Sequence, residues 1–108
     1  MKGTIKDLIK LSGVQGYVVV NQKSVQMKLP SMHRFAGSKE RIKRLYDDLV
    51  LAKKRPGNIV EIFLDDTVLT IFINGTIMLI VLSSPKVNLA LVRMTGKLVI
   101  ANIVKEMN

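Results

Sequence analysis

Apolar and polar residues recur along this chain with two periods, and the switches between them mark out eight elements. Near the N-terminus, Ile5, Leu8 and Ile9 fall at the i, i+3, i+4 spacing of one helix face. Thr4 with Asp7 three residues later has the form of a capping box, with Asp in place of the usual Glu. Gly13 is placed to end the segment in a left-handed cap, so a short helix is expected from Ile5 to about Ser12. GYVVVNQ follows, a β-branched run that reads as a strand buried on both faces. Asn21–Lys23 supplies a turn. SVQMKL then alternates, with Val25, Met27 and Leu29 on one side and Ser24, Gln26 and Lys28 on the other, as in a strand with one wet face.

The period changes again after the loop PSMHRFAG. Ser38 is a suitable N-cap, and Ile42, Leu45, Tyr46, Leu49 and Ala52 form one stripe of a helix from Lys39 to about Arg55. Pro56-Gly57 stops it. Three strand-like runs come next: NIVEIFL, TVLTIFI and TIMLIVL. Asp65-Asp66 separates the first pair. Asn74-Gly75 separates the second and predicts a tight type I′ hairpin turn, which needs positive φ at both central positions. Ser84 and Pro85 stand where the N-cap and first residue of a closing helix are expected. On that helix Asn88, Thr95, Asn102 and Glu106 make a narrow polar stripe, so most of its circumference is expected to be covered. Gly96 in its middle costs about 1 kcal/mol relative to Ala, which points to close approach by a neighbour.

The order is thus α-β-β-α-β-β-β-α. Strands apolar on both faces need helices on both sides, giving a three-layer α/β/α sandwich around an antiparallel sheet. The 108 residues, read as a single domain over 1–108, suffice for one core. Hydrophobic residues at 48% against 23% charged exclude disorder as the ground state. The longest aliphatic run, Ile77–Leu82, is far short of a membrane span, and Asp7 and Lys10 interrupt what would be a signal's apolar core. A cytoplasmic location is the expectation.

LIKLSGVQGYVVVNQ resembles the opening of the roadblock family, related to dynein light chains, with its Gly-Val-x-Gly corner at Gly13-Val14-Gln15-Gly16. LSSPKVNLALVRM is similar to the family's second signature, in which a small turn opens the last helix at an Asn-Leu-x-Leu stretch, here Asn88–Leu91. The element order matches over essentially the whole chain. This resemblance implies a roadblock-like (profilin-like) fold: a five-stranded sheet, the first and last helices on one face and the middle helix on the other. It also implies a homodimer in which third strands and middle helices pair, and a non-catalytic adaptor or regulator of Ras-like small GTPases. Two features depart from the pattern: Gln22-Lys23-Ser24 replaces a Gly-containing turn, and the middle helix is unusually basic.

The residues support pairing independently. In NIVEIFL, Ile59, Glu61 and Phe63 share one side, and Val60, Ile62 and Leu64 the other. At a sheet edge such a strand has neither Pro nor Lys to blunt it, and pairing with a second copy would satisfy its backbone. Its interface residues would be Ile59, Val60, Ile62 and Leu64, with Leu49 from the middle helix. The alternative is an interior strand of a monomer.

Residues able to do chemistry are sparse. Cysteine is absent, and His33 is the single histidine, so no cofactor or metal is expected. Asp47 and Asp48 diverge by about 100° on a helix and cannot form a dyad. Asp65-Asp66 is turn chemistry. Gly37-Ser38-Lys39 lacks the spacing of a phosphate loop, and no serine sits in a nucleophile elbow. The chain is read as a non-enzyme.

Charge changes this picture in one place. The net charge is +9, and Lys28–Arg55 holds nine basic residues against three acidic ones. Arg41, Arg44, Asp48 and Arg55 share the polar side of the middle helix with Leu51 beside them, a pattern that fits a protein contact with a charged rim or a plain solvated face. The first expectation is therefore a basic platform for a Ras-like GTPase. Electrostatic binding of nucleic acid or an anionic surface is the alternative; it lacks a stacking platform, since Tyr46 falls on the apolar stripe, Phe63 and Phe72 lie within strands, and Tyr17 and Phe35 are the candidate exposed rings.

Overall fold

A computed structural model describes residues 4–28, 39–52 and 58–107. The elements run α1 (Ile5–Ile9), β1 (Val14–Val20), β2 (Val25–Lys28), α2 (Lys39–Ala52), β3 (Asn58–Phe63), β4 (Val68–Asn74), β5 (Ile77–Ser83) and α3 (Leu89–Met107). The sheet is fully antiparallel in the order β2-β1-β5-β4-β3, so β1 and β5 lie side by side and β2 and β3 form the two edges.

Strand alternation divides the core into two layers. Against α2 pack Val18, Val20, Leu69, Ile71, Ile73, Met78, Ile80 and Leu82, met by Ile42, Leu45 and Tyr46 from the helix. Against α1 and α3 pack Val19, Phe72, Ile77, Leu79 and Val81, met by Leu8, Val92, Val99 and Ile100. The expected three-layer sandwich with five antiparallel strands is the fold.

Local details differ from the sequence reading where a hydrogen bond finds a better place. The Thr4–Asp7 capping box forms, with Asp7 N donating to Thr4 Oγ1 at 3.3 Å and Thr4 N donating to Asp7 Oδ2 at 3.1 Å. Yet α1 ends at Ile9 rather than near Ser12, and a turn carries the chain to Gly13, whose φ is +94°. The second hairpin is also one residue out of place. Asn74 pairs with Ile77, so the loop is Gly75-Thr76 rather than Asn74-Gly75. Gly75 has φ +61°, and no non-glycine among the described residues has positive φ. A glycine alone at the first central position belongs to a type II′ turn, not the expected type I′.

The closing helix begins later than expected. Ser84 Oγ accepts from Lys86 N and the Ser84 carbonyl from Val87 N, so Ser84-Pro85 makes a separate turn. The cap is Asn88, whose Oδ1 accepts from Leu91 N at 3.2 Å. The expected polar stripe does not hold together either. Asn88 caps and Asn102 and Glu106 are exposed, but Thr95 is wholly buried beside Gly96. Gly96 is why: an added Cβ would lie 2.1 Å from Phe72 Cζ, so the helix meets the ring with its backbone and turns the Thr95–Gly96 side inward. The opposite side, expected to be covered, carries Leu91, Met94 and Leu98 at 37%, 49% and 42% exposure.

The two segments that carry the family resemblance meet in space. Ser84 N donates to the Gly13 carbonyl at 2.7 Å, and a Cβ on Gly13 would press on Val87 at 3.1 Å. The corner before β1 and the turn before α3 are therefore one packed unit.

Candidate functional site

The open edge at β3 follows from its pairing with β4. Register partners run from Asn58↔Ile73 to Phe63↔Val68, and Leu64 N donates to Thr67 O at 2.9 Å across the Asp65-Asp66 turn. In an antiparallel ladder, backbone groups turn toward the neighbour at alternate residues. Leu64, Ile62 and Val60 thus direct theirs to β4, and Ile59, Glu61 and Phe63 direct theirs outward. The side chains divide the same way: Val60, Ile62 and Leu64 are partly buried against the α2 layer, and Ile59 against the α3 layer. Phe63, on the Ile59 side, is 65% exposed and is the most exposed large apolar residue among those described. The sequence reading did not include Phe63 in the interface; being the last residue of an edge strand is what exposes it.

Glu61 on this edge is held from above. Arg93 of α3 donates through Nε to Oε2 at 3.0 Å and through Nη2 to Oε1 at 2.8 Å. These two bonds hold the guanidinium above its ordinary pKa range. Glu61 and Arg93 are 32 residues apart in sequence, and no local pattern announced the pair.

The α2 platform is described in part. Arg41, Arg44 and Asp48 are exposed, with Asp47 beside them, at the i, i+3, i+7 spacing of one face. Leu49 and Leu51 lie within α2, where their side chains are outside the described residues, as is Arg55. Lys43 does not join the platform. Its Nζ donates to the Asn21 carbonyl at 3.1 Å and sits 4.7 Å from the Tyr46 ring centroid, tying α2 to the β1–β2 turn. Tyr46 in turn donates to the Thr76 carbonyl, and burial, with Asp47 adding, pushes its phenol above the ordinary range. Of the candidate exposed rings, Tyr17 is half-buried and Phe35 lies outside the described residues, as does His33.

Nothing here assembles a reaction centre among the described residues. An open cleft of about 290 Å³ near β2 is floored by Ile5, Val19 and Ile103 and carries one carboxylate, Glu106. No cluster of three His, Cys, Asp or Glu occurs there or elsewhere among them. Among the described residues, no helix is long and apolar enough to cross a membrane.

Five antiparallel strands in this order, with two helices on one face and one on the other, make the architecture that of a Roadblock/LC7 domain. The particular likeness is to the Roadblock/LC7 domain from Streptomyces avermitilis, with a TM-score of 0.69 at 16% identity over 94% of this chain and 92% of that one. No protein-family model matches the sequence, and no curated protein does. The resemblance read from Gly13–Gly16 and Asn88–Leu91 is thus carried by the whole fold.

Proposed function

We propose that this chain is a homodimeric, non-catalytic adaptor or regulator that offers paired α2 helices to a Ras-like small GTPase. The observation that carries the dimer is the β3 edge, with outward backbone groups at Ile59, Glu61 and Phe63 and apolar side chains on both faces. Monomeric proteins blunt such edges. The GTPase half of the reading rests on the family resemblance and on the exposed Arg41, Arg44 and Asp48.

Backbone parity narrows the pairing. A twofold axis that leaves both α2 helices on one face of a continuous sheet must pass through a residue, because facing residues then share a side. Centring on Glu61 sets Ile59 opposite Phe63 of the second copy and Glu61 opposite its counterpart, with each pair exchanging both N–H···O bonds. Centring on Val60 or Ile62 leaves one outward residue beyond the strand end. Facing carboxylates repel, and the bidentate Arg93 on each Glu61 offsets that cost. Phe63 then packs on Ile59 of the second copy.

The test is recovery of partners from nuclease-treated lysate at two salt concentrations, with GDP or a non-hydrolysable GTP analogue. A Ras-like GTPase recovered in a nucleotide-dependent way, and lost with Arg44→Glu, supports the regulator. Partners that vanish with nuclease, or fall by orders of magnitude with modest salt, replace it with polyanion binding.

A further inference from the structure

The outer face of α3 has no role in the dimer proposed above. Leu91, Met94 and Leu98 stand exposed there, and Ala101 continues the series, giving 3-4-3 spacing along three turns. This is the a/d seam of a two-helix contact, here pointing away from the protein's own core. At 100° per residue these four positions span about 80°. Such a stripe is narrower than the roughly 100° or more over which a helix lying on a bilayer or a globular core is apolar. Its width fits one partner helix.

Charge on the same face is of one sign. Lys97 stands exposed beside the seam and Lys105 continues its line one turn past Ala101, while Arg93, farther round, is held by Glu61; no acidic residue occurs from Leu89 to Lys105. Glu106, about 60° round from the Leu91 direction, lines the cleft with Thr4 and Ile5. Two copies of this helix packed together would set this basic rim against itself. Complementarity instead calls for carboxylates flanking the partner's apolar stripe.

We propose that the outer face of α3 docks an acidic amphipathic helix of a partner protein, with Leu91, Met94, Leu98 and Ala101 as the apolar seam and Lys97 as its charge-selecting flank. This surface works separately from the β3 edge. Its central residues are solvent-exposed and stand outside both core layers.

The test uses designed three-heptad helical peptides with Leu at a and d, flanked by Glu or by Lys, titrated by fluorescence anisotropy. The Glu-flanked peptide should bind at least tenfold more tightly than the Lys-flanked one. Met94→Asp should abolish binding with an unchanged circular dichroism melt, and Lys97→Glu should shift preference toward the Lys-flanked peptide. Equal affinity for the two peptides, or no binding of either, overturns the proposal. So does binding to phosphatidylserine vesicles that Met94→Asp removes, which would assign the seam to lipid. A fall in molecular mass with Met94→Asp would assign it to a second copy and would equally overturn it.

Discussion

The two faces of the sheet are closed by different means. On the α3 side, backbone meets ring: Gly96 lies against Phe72, and the Gly13 corner is bonded to the turn before the helix. On the α2 side, Ile42, Leu45 and Tyr46 are the described helix side chains that cover the sheet. A small apolar void of about 20 Å³ lies between Ile42, Leu45 and the strands. Val60, Ile62 and Leu64 at the β3 end remain partly buried. One face is finished within the chain, whereas the other leaves a flank that a second copy could complete. The contrast teaches that a sheet face closed by backbone-on-ring packing needs no second copy to complete it, whereas the α2 flank leaves room for one, and the substitutions below test it.

The largest effect belongs to the finished face. Gly96→Ala would place a methyl within 2.1 Å of a ring that is 1% exposed and boxed in on all sides. Overpacking of this kind costs about 3 kcal/mol, against about 1 kcal/mol gained in helix propensity. Chemical denaturation should therefore find a net loss of about 2 kcal/mol. Unchanged or increased stability would mean that the α3 face is loose, and the contrast would fail.

The β3 edge that borders this flank should respond in association rather than folding. Phe63→Pro removes an exposed ring and an outward N–H while sparing the ladder to β4, a position where an edge strand tolerates proline. Light scattering should show at least a tenfold weaker dimer, about 1.4 kcal/mol, with the melt of the protomer nearly unchanged. A dimer that survives would move the interface away from β3.

Much of the fold was legible because it rests on local signals. The β-branched runs and the Thr4–Asp7 box each name their own structure, while the Pro56-Gly57 stop lies outside the described residues. Errors fell where a tertiary contact overrides the local one. Gly75 takes the first turn position because the register pairs Asn74 with Ile77. Thr95 is buried because Phe72 needs a side of the helix without a Cβ, and Gly96 brings its neighbour along. The candidate site was half legible. Alternation in NIVEIFL gave its faces, but the exposure of Phe63 and the grip of Arg93 on Glu61 depend on strand order and helix placement. Sequence periodicity likewise does not reveal that the Asn21 carbonyl lies within reach of Lys43.

A smaller effect is expected where α2 is tied to the sheet. Tyr46→Phe removes the bond to the carbonyl of Thr76, an exposed turn residue, a loss of about 1 kcal/mol by denaturation at pH 7. Its pH signature identifies the group. The folded-state pKa is raised by burial, so the contribution is intact below the unfolded phenol's value near 10 and falls away as pH rises through the folded value. The variant should lack that part of the alkaline limb. An identical alkaline decline in both proteins would place the titrating group elsewhere.

The smallest effect lies at the start of the finished face, in the box that opens α1. Bonds from the Thr4 hydroxyl and the Thr4 N–H hold the Asp7 carboxyl below its ordinary value of 3.8. A carboxylate whose folded pKa is depressed contributes stability that is present above the unfolded value and lost as pH falls through the folded one. Asp7→Asn keeps the shape without the charge, so stability should fall less between pH 5 and pH 2 than in the parent. Because the group is open to solvent, the difference should be small and should shrink in high salt. Leu8, the next residue, is fully buried beneath this turn. A loosened box should therefore appear first as faster amide exchange at Asp7 and Leu8, with α3 unaffected. Equal exchange in both proteins at pH 5 would mean that packing of Leu8, rather than the cap, holds α1 in place.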